Sequence, residues 1–128
     1  MFKTANAFSG FSVDDLEEAK TFYGDMLGCT IEDTGMGLDM RFPNGHSVFI
    51  YEKEGHVPAD YTVLNFPVDD INTAVDSLLE AGITMERYDN MPGEQDERGV
   101  MRGKSAGMGP DIAWFKDPAG NILAVLEQ

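Results

Sequence analysis

Phe11-Ser-Val-Asp-Asp-Leu-Glu-Glu-Ala19 is repeated further along the chain as Phe66-Pro-Val-Asp-Asp-Ile-Asn-Thr-Ala74. The two stretches lie 55 positions apart and share Phe, Val, both Asp residues and the final Ala. In each copy a short alternating run precedes an acidic pair, and acidic side chains both cap a helix N-terminus and interact favourably with its dipole. The chain is therefore expected to contain two copies of one structural unit.

Apolar residues at helical spacing follow each acidic pair and predict two amphipathic helices, over about residues 14–27 and 69–81. Gly28 and Gly82 are expected to end them. The residues expected to be buried are Leu16, Ala19, Phe22, Tyr23 and Leu27 in the first helix, and Ile71, Ala74, Val75, Leu78 and Leu79 in the second. Both helices are interpreted as packing elements rather than as sites.

Strand patterns follow each helix: residues 29–34, 38–42 and 46–52 after the first, and 83–88, 111–116 and 122–126 after the second. Turns are predicted at 43–45 and 117–120. The predicted fold is α+β, with two tandem βαβββ modules over residues 1–54 and 61–128 and a linker over 55–60. One module could not cover its own sheet, so the two are expected to form a single domain, 1–128, with a curved mixed sheet, a concave cavity and helices outside.

The second module carries about 20 extra residues, 89–109, between its second and third strands. A loop of this length without secondary structure is usually functional or disordered. Its glycines and adaptable Met91, Met101 and Met108 would suit a lid over the cavity or an arm across a dimer interface, and disorder is the alternative. Its basic residues are either a site for an anionic ligand or part of a solvated surface; they are Arg98, Arg102 and Lys104.

The composition restricts the possible partners. With 128 residues, 42% hydrophobic and 25% charged, the chain is long and apolar enough to form a core. Its net charge of −14 argues against nucleic acid and membrane surfaces as partners. Cys29 is the only cysteine, and no secretion signal or run of 18 apolar residues is visible, so a reducing, cytoplasmic location is expected.

The paired Val-Asp-Asp-(Leu/Ile) helix starts, together with the ending Trp114-Phe-Lys-Asp-Pro-Ala-Gly-Asn-Ile-Leu123, resemble the vicinal oxygen chelate superfamily. The resemblance covers about residues 7–127. This superfamily includes glyoxalases, extradiol dioxygenases, methylmalonyl-CoA epimerases and bleomycin- or fosfomycin-resistance proteins. The resemblance therefore implies the fold and leaves the chemistry open.

The resemblance also implies where a metal ion would be held. Metal-dependent members carry His, Gln or Glu ligands at four inward-facing strand positions, and the ion acts as a Lewis acid on two adjacent substrate oxygens. Counted from the motifs, these positions fall on Phe8, Phe49, Val63 and Ala124, and none of these side chains offers a lone pair. We therefore expect no metal and no other cofactor, as in the bleomycin-resistance-like members, which sequester a ligand in a dimeric cleft.

Strand parity predicts which residues line the cavity. The predicted ligand-binding residues are Phe8, Asp39, Arg41, Phe49, Tyr51, Asn65 and Trp114. The opposite parity is apolar and is expected to face the helices: Phe11, Val13, Val48, Ile50, Leu64, Phe66, Leu123 and Val125. Alternatively, Phe8, Phe49 and Trp114 are core residues, and Asp39 and Arg41 form a surface ion pair.

These features support three hypotheses. The leading one is a metal-independent protein that binds a small molecule, such as a toxic compound, and works as a homodimer; the acidic charge would favour a cationic ligand. The alternative is a glyoxalase-like lyase, isomerase or dioxygenase. It would use a divalent metal relocated to His46 or His56, or acid–base chemistry by Tyr51, Asp39 and His56. The third is an interaction module with no ligand.

Overall fold

The structure, a computed structural model, describes all residues from Met1 to Gln128. It contains two compact units, Met1–Pro58 and Ala59–Gln128, which we call module one and module two. Each unit contains one four-stranded mixed sheet and few helices. The α+β class and the tandem modules predicted from the repeat are confirmed.

Module one consists of β1 (Ser9–Val13), α1 (Leu16–Lys20), a π-helical segment (Thr21–Met26), β2 (Thr30–Asp33), β3 (Leu38–Arg41) and β4 (Ser47–Glu52). The strands are arranged in the order β1-β4-β3-β2, in which β1 runs parallel to β4 and the other pairs are antiparallel. Parallel pairing of the first and last strands is possible because α1 connects the two edges of the unit.

The first helix is not the continuous α-helix predicted over residues 14–27, because it becomes π-helical at Thr21. The backbone N–H of Leu27 donates to the carbonyl of Phe22, five residues back, at 2.9 Å. Phe22 and Tyr23, which are consecutive, are both buried, and their rings meet edge to face with centroids 5.0 Å apart. The wider turn accompanies this burial of two neighbouring aromatic side chains, which a simple 3.6-residue pattern does not reveal.

Module two consists of β5 (Thr62–Pro67), α2 (Ile71–Glu80), β6 (Met101–Arg102), α3 (Gly103–Ala106), β7 (Asp111–Lys116) and β8 (Ile122–Glu127). The strand order is β5-β8-β7-β6, with β5 parallel to β8 and the other pairs antiparallel. The order of first, last, third and second strand therefore repeats that of module one.

The prediction of a strand over residues 83–88 is wrong. This segment forms no strand, although Ile83 and Met85 are buried and the N–H of Glu86 donates to the carbonyl of Trp114 at 2.7 Å. The position beside β7 is occupied instead by β6, where Met101 pairs with Ile112. The alternating apolar pattern thus arises because one side of the segment is buried. The segment does not form the hydrogen-bond ladder of a strand.

The helix-facing side of each sheet is the core that strand parity predicts. Phe11, Val13, Val48 and Ile50 are buried in module one, and Leu123 and Val125 in module two, whereas Leu64 and Phe66 are half-buried. Ile71, Val75 and Leu78 of α2 are buried, but Leu79 is 48% exposed and Ala74 is half-buried. Leu79 was predicted to be buried; it lies outside the narrow stripe that positions 71, 75 and 78 form on the helix.

Paired carboxylates fix the start of each helix. Asp15 and Asp70 each accept hydrogen bonds from the backbone N–H groups two and three residues further on, at 2.9–3.3 Å. A second carboxylate comes from the end of the last strand of each module. Glu52 accepts from the first N–H of α1 at 3.1 Å, and Glu127 from the first N–H of α2 at 2.9 Å. Each helix is thus anchored both locally and to its own sheet.

The turn between β7 and β8 is held by its two buried end residues, Asp117 and Asn121. One carboxylate oxygen of Asp117 accepts from the N–H groups of Ala119 and Asn121, at 3.0 and 2.8 Å. The other oxygen accepts from the Asn121 side-chain amide at 2.9 Å. Gly120 has φ +89°, which favours glycine. The Asp-Pro-Ala-Gly-Asn motif is therefore explained by the structure of the turn.

Candidate functional site

The sheet face of module one that lies opposite the helix contains most of the residues predicted to bind a ligand. Asp39, Phe49 and Gly10 are direct neighbours across β3, β4 and β1, and Tyr51 lies beside Ser12. We call this surface the module-one face; it comprises Gly10, Ser12, Asp39, Arg41, Ser47, Phe49 and Tyr51. Phe8 precedes β1 with the same parity and is 65% exposed.

The centre of the module-one face is aromatic and partly open to solvent. The rings of Phe49 and Tyr51 stack with centroids 6.0 Å apart and planes inclined by 17°. Gly37 makes room for the first ring, because a Cβ at this position would stand 2.7 Å from the ring of Phe49. Tyr51 remains 38% exposed. This surface is suited to contact with the flat face of a ligand.

The charged residues of this face already have partners. Arg41 donates to Asp39 at 2.9 Å and lies 3.3 Å from Glu32. One exposed guanidinium, that of Arg41, is therefore shared between the carboxylates of Asp39 and Glu32. This arrangement matches the alternative in which Asp39 and Arg41 form a surface ion pair. Binding of a ligand by Asp39 and Arg41 stays a prediction.

A contact that sequence reasoning missed lies at the edge of the module-one face. Ser12 Oγ and His56 Nδ1 are 2.7 Å apart, although the two residues are 44 positions apart in the chain. His46 lies elsewhere, with its ring stacked on Phe42 at 6.5 Å. Serine on an inward-facing position was the available signal, but nothing in the sequence showed that the segment after β4 folds back to it.

Module two brings together the other two predicted ligand-binding residues. Asn65 and Trp114 flank Ala124 across β5, β8 and β7. Asn65 is exposed, whereas Trp114 and Ala124 are 6% and 0% exposed. Val63 is the extra residue of a β-bulge between Thr62 and Leu64, so strict alternation is interrupted there.

Trp114 is buried because the segment that precedes β7 covers it. The ring of Tyr88 meets that of Trp114 edge to face, with centroids 5.6 Å apart. We call the whole group the Trp114 cluster; it comprises Trp114, Ile122 and Ala124, with Tyr88, Met91, Met101 and Ile112 packed against them. The sequence indicated Met91 and Met101 as part of an adaptable loop, but Tyr88 was assigned to a strand that does not form.

The insertion over residues 89–109 is not the structureless loop that the sequence predicts. It contains β6 and α3 and forms part of the folded module two. The side chain of Gln95 connects it to the preceding segment. Its amide nitrogen donates to the carbonyls of Glu86 and Gly99 at 2.9 and 2.7 Å, and its oxygen accepts from the N–H of Tyr88 at 2.7 Å. Gln95 therefore positions the backbone of Tyr88 over the sheet.

Asp96 organises the basic residues of the insertion. Its carboxylate accepts from the N–H groups of Arg98 and Val100, both at 2.9 Å, and from Nε of Arg102 at 3.1 Å. Burial alone would raise the pKa of Asp96, but these hydrogen bonds and the charge of Arg102 outweigh it and hold that pKa below its ordinary value.

All three basic residues of the insertion pair with module two itself. Arg98 forms an ion pair with Asp76, and Arg102 donates to the side chain of Asn72 at 2.7 Å. Lys104 pairs with Glu127; this hydrogen bond raises the pKa of Lys104 and lowers that of Glu127. These contacts fit the interpretation of a solvated, mixed-charge surface better than a free anion site.

Burial raises the pKa of two side chains, Tyr88 and Cys29. Burial, reinforced by the nearby charge of Glu86, raises the pKa of Tyr88 above its ordinary value of 10.0. Burial also raises the pKa of the Cys29 thiol, which disfavours its nucleophilic form.

The residues at the four superfamily ligand positions do not fit a metal ion. Phe8, Phe49, Val63 and Ala124 offer only carbon at these positions. The chain also contains no group of three or more His, Cys, Asp and Glu side chains placed to hold a metal. A metal centre of the superfamily's usual kind therefore has no ligand set in this chain.

Comparison with known protein families identifies the fold. The sequence profile of the Glyoxalase/Bleomycin resistance protein/Dioxygenase superfamily matches residues 7–125. The chain belongs to this superfamily. A search of curated protein sequences found no match. None of the helices of this superfamily member is long and apolar enough to span a bilayer.

Solved structures share this fold at low sequence identity. A glyoxalase/dioxygenase from Nostoc punctiforme has a TM-score of 0.69 at 15% identity, covering 98% of this chain and 91% of the other. The fosfomycin resistance protein FosX from Listeria monocytogenes also has a TM-score of 0.69, at 12% identity, with 99% and 95% covered. TnmS3, an antibiotic binding protein from Streptomyces sp. CB03234, has a TM-score of 0.63 at 20% identity, with 98% of both chains covered.

Proposed function

We propose that this superfamily member binds a small molecule without using a metal ion. The observation that carries the proposal is the chemistry of the ligand positions: where metal-dependent members need His, Gln or Glu, this chain has Phe8, Phe49, Val63 and Ala124. Phe49 is part of a stacked aromatic surface, which can bind a ligand by contact. An aromatic surface of this kind has no need of a metal to hold an organic molecule.

Two proteins of the same fold support a protective role. One is described as an antibiotic binding protein and another as a fosfomycin resistance protein. At 20% and 12% identity they establish what the fold can host rather than which compound this chain takes. We infer that the chain sequesters a toxic organic compound in the cytoplasm and does so as a homodimer.

The charge of the protein indicates the kind of compound. With a net charge of −14, the protein attracts cations and repels anions at low salt. The exposed rings of Phe8 and Tyr51 can contact a cationic aromatic molecule through their faces. A cationic aromatic drug is therefore the ligand class we propose for the module-one face.

Thermal-shift screening with a panel of cationic aromatic drugs tests this function, with and without EDTA in the buffer. We expect at least one compound to raise the melting temperature equally in both buffers. Elemental analysis of protein purified without chelator should find no stoichiometric divalent metal. Stoichiometric zinc, iron, nickel or manganese, or a thermal shift that EDTA abolishes, would show that binding depends on a metal.

Replacing Tyr51 by Ala assigns the binding to the module-one face. We expect the Tyr51→Ala variant to lose about tenfold in affinity, which is the value of one stacked ring. Tyr61→Ala is the matched control, because Tyr61 is also exposed but lies outside this face. Equal affinities of the two variants would place the ligand elsewhere. Light scattering at micromolar concentration tests the homodimer.

An enzyme with acid–base chemistry is a second candidate, favoured by the 2.7 Å contact between Ser12 and His56 beside Tyr51. A histidine hydrogen-bonded to a hydroxyl can act as a general acid or base towards a substrate bound beside it. Turnover of the hemithioacetal of methylglyoxal and glutathione tests it. This candidate predicts that the His56→Ala variant loses activity and the His46→Ala variant keeps it. Absence of turnover in the unmodified protein, or equal turnover in both variants, would exclude this role of His56.

A further inference from the structure

The Trp114 cluster contains one polar atom that the fold leaves without a partner. The hydroxyl oxygen of Tyr88 is buried, and no hydrogen-bond partner lies within reach of it. A buried hydroxyl without a partner costs free energy until one is supplied. Such atoms are uncommon in native proteins, and a bound water or ligand is one way in which they are satisfied.

The surroundings of this hydroxyl have the composition of a small-molecule site. The ring of Tyr88 lies edge-on to Trp114, and the side chains of Met91, Met101 and Ile112 pack against the same cluster. Gln95 accepts a hydrogen bond from the N–H of Tyr88, which holds the backbone of this residue. One fixed polar group among aromatic and thioether side chains orients a ligand that is otherwise held by apolar contact.

Methionine side chains can make room for such a ligand. Gly93, Met101 and Met108 all belong to the insertion. A Cβ added at Gly93 would stand 3.1–3.3 Å from side-chain atoms of the two methionines, so these side chains pack against the backbone of the insertion itself. Met91, in the same insertion, packs on the cluster and is half-buried. Because methionine changes rotamer at low cost, movement of these side chains is the way in which a flat molecule would reach Trp114.

We propose that the Tyr88 hydroxyl donates a hydrogen bond to the carbonyl oxygen of an uncharged, planar aromatic molecule that binds against Trp114 beneath the insertion. This inference rests on the proposed function and specifies a ligand class for module two. The carbonyl follows from the phenol, which is protonated at neutral pH and therefore donates. The absence of charge follows from the apolar side chains of the Trp114 cluster, among which a charged group is costly to bury.

Two matched probes test the inference: 1-indanone and indane, which has the same fused rings without the carbonyl. Binding is followed through Trp114, the only tryptophan of the chain. We expect the unmodified protein to bind indanone about tenfold more tightly than indane, and the Tyr88→Phe variant to bind both equally. Tyr61→Phe is the control; Tyr61 is 67% exposed, and its variant should keep the tenfold preference.

The melting temperature of the ligand-free variants gives an independent readout. Because the Tyr88 hydroxyl has no partner in the folded protein, the Tyr88→Phe variant should melt no lower than the unmodified protein. A lower melting temperature together with an unchanged preference for indanone would assign the hydroxyl a structural role and overturn the inference.

The other outcomes separate this inference from the proposed function. If the unmodified protein and the Tyr88→Phe variant bind both probes equally, small-molecule binding stands but Tyr88 is not the anchor. If neither probe changes the fluorescence of Trp114 up to its solubility limit, the Tyr88 site is overturned. The proposed function is then decided by the drug screen and the Tyr51→Ala variant alone.

Discussion

The two modules have the same strand order, but they differ in what lies on the sheet face opposite the core helix. In module one that face is partly open, with Phe49 half-buried and Tyr51 38% exposed. In module two the part of the equivalent face around Trp114 and Ala124 is core, since these two residues are 6% and 0% exposed, whereas Asn65 on the same face is exposed. The strands alone do not decide whether such a face becomes surface or interior; the side chains packed over it do, and in module two these include Tyr88, Met91 and Met101.

The two hairpin turns differ in a similar way. In module two the end residues Asp117 and Asn121 hydrogen-bond to each other and to the turn backbone. In module one the corresponding residues, Phe42 and His46, stack their rings at 6.5 Å and keep the backbone hydrogen bond at 2.9 Å. One backbone turn is thus stabilised by buried polar groups in one copy and by the stacked rings of half-buried Phe42 and exposed His46 in the other.

The largest expected effect is at the module-two turn. Asp117→Ala removes the acceptor of the buried N–H of Asn121, of the half-buried N–H of Ala119 and of the Asn121 side-chain amide, so we expect a loss of about 3 kcal/mol in the free energy of unfolding. In module one, Asn44→Ala removes one exposed side-chain acceptor from the turn and should cost about 0.5 kcal/mol. Urea titrations of both variants measure the difference. Equal losses would mean that the two turns are energetically equivalent.

The next effect tests the difference between the two faces. Ala124→Leu adds volume to a position with no exposure, and we expect it to cost about 2 kcal/mol and to shift the fluorescence of Trp114. Phe49→Leu, at the equivalent position of the open face, should cost less than about 1 kcal/mol. If the order of these two losses were reversed, the module-two face would not be the better packed one.

Gly37 tests how tightly Phe49 is seated on the open face. A Cβ at Gly37 would stand 2.7 Å from the Phe49 ring and 2.5 Å from the carbonyl oxygen of Ile50, so we expect Gly37→Ala to cost about 1–2 kcal/mol. Gly24→Ala is the control, because its nearest neighbour, Ile31, lies at 3.5 Å. That control should be neutral or slightly stabilising in a helical position. Unchanged stability of Gly37→Ala would contradict the close approach of both the Phe49 ring and the Ile50 carbonyl to this position.

The smallest effect concerns the two strand-end carboxylates that cap the helices. Glu127 has a pKa below its ordinary value of 4.5, chiefly because Lys104 donates to it. A lowered pKa means that the contribution to stability is complete above the ordinary value and is lost as the pH falls through the folded value. The stability difference between the unmodified protein and Glu127→Gln should therefore be constant from pH 7 to about 5 and decrease below that.

Glu52→Gln is the matched variant for this experiment, because Glu52 makes the same cap to α1 at 3.1 Å without a lysine partner. We expect its effect at pH 7 to be smaller than that of Glu127→Gln. Urea titrations at stepped pH measure both. A difference for Glu127→Gln that increases on acidification would contradict the sign derived from its pKa.

The repeated Phe-x-Val-Asp-Asp motif predicted the two modules, their helix starts and the core face of each sheet, because capping and strand parity are local properties. The π-helical segment was not predicted, since it depends on how Phe22 and Tyr23 pack together. Nor was β6, because a two-residue strand forms only where β7 offers an edge. Among the site residues, strand parity correctly placed Asp39, Phe49 and Tyr51 on one face. It did not predict the position of Tyr88 or the contact between Ser12 and His56.

By itself, the sequence determined the class of fold, the positions of both helices and the apolar character of the four superfamily ligand positions. These follow from residue type and spacing, which act over a few residues or one strand. Only the tertiary structure decided which sheet face is covered, which acids pair with the basic residues of the insertion, and that the Tyr88 hydroxyl is buried without a partner. Such properties depend on contacts between distant parts of the chain, where burial and hydrogen bonding are settled together.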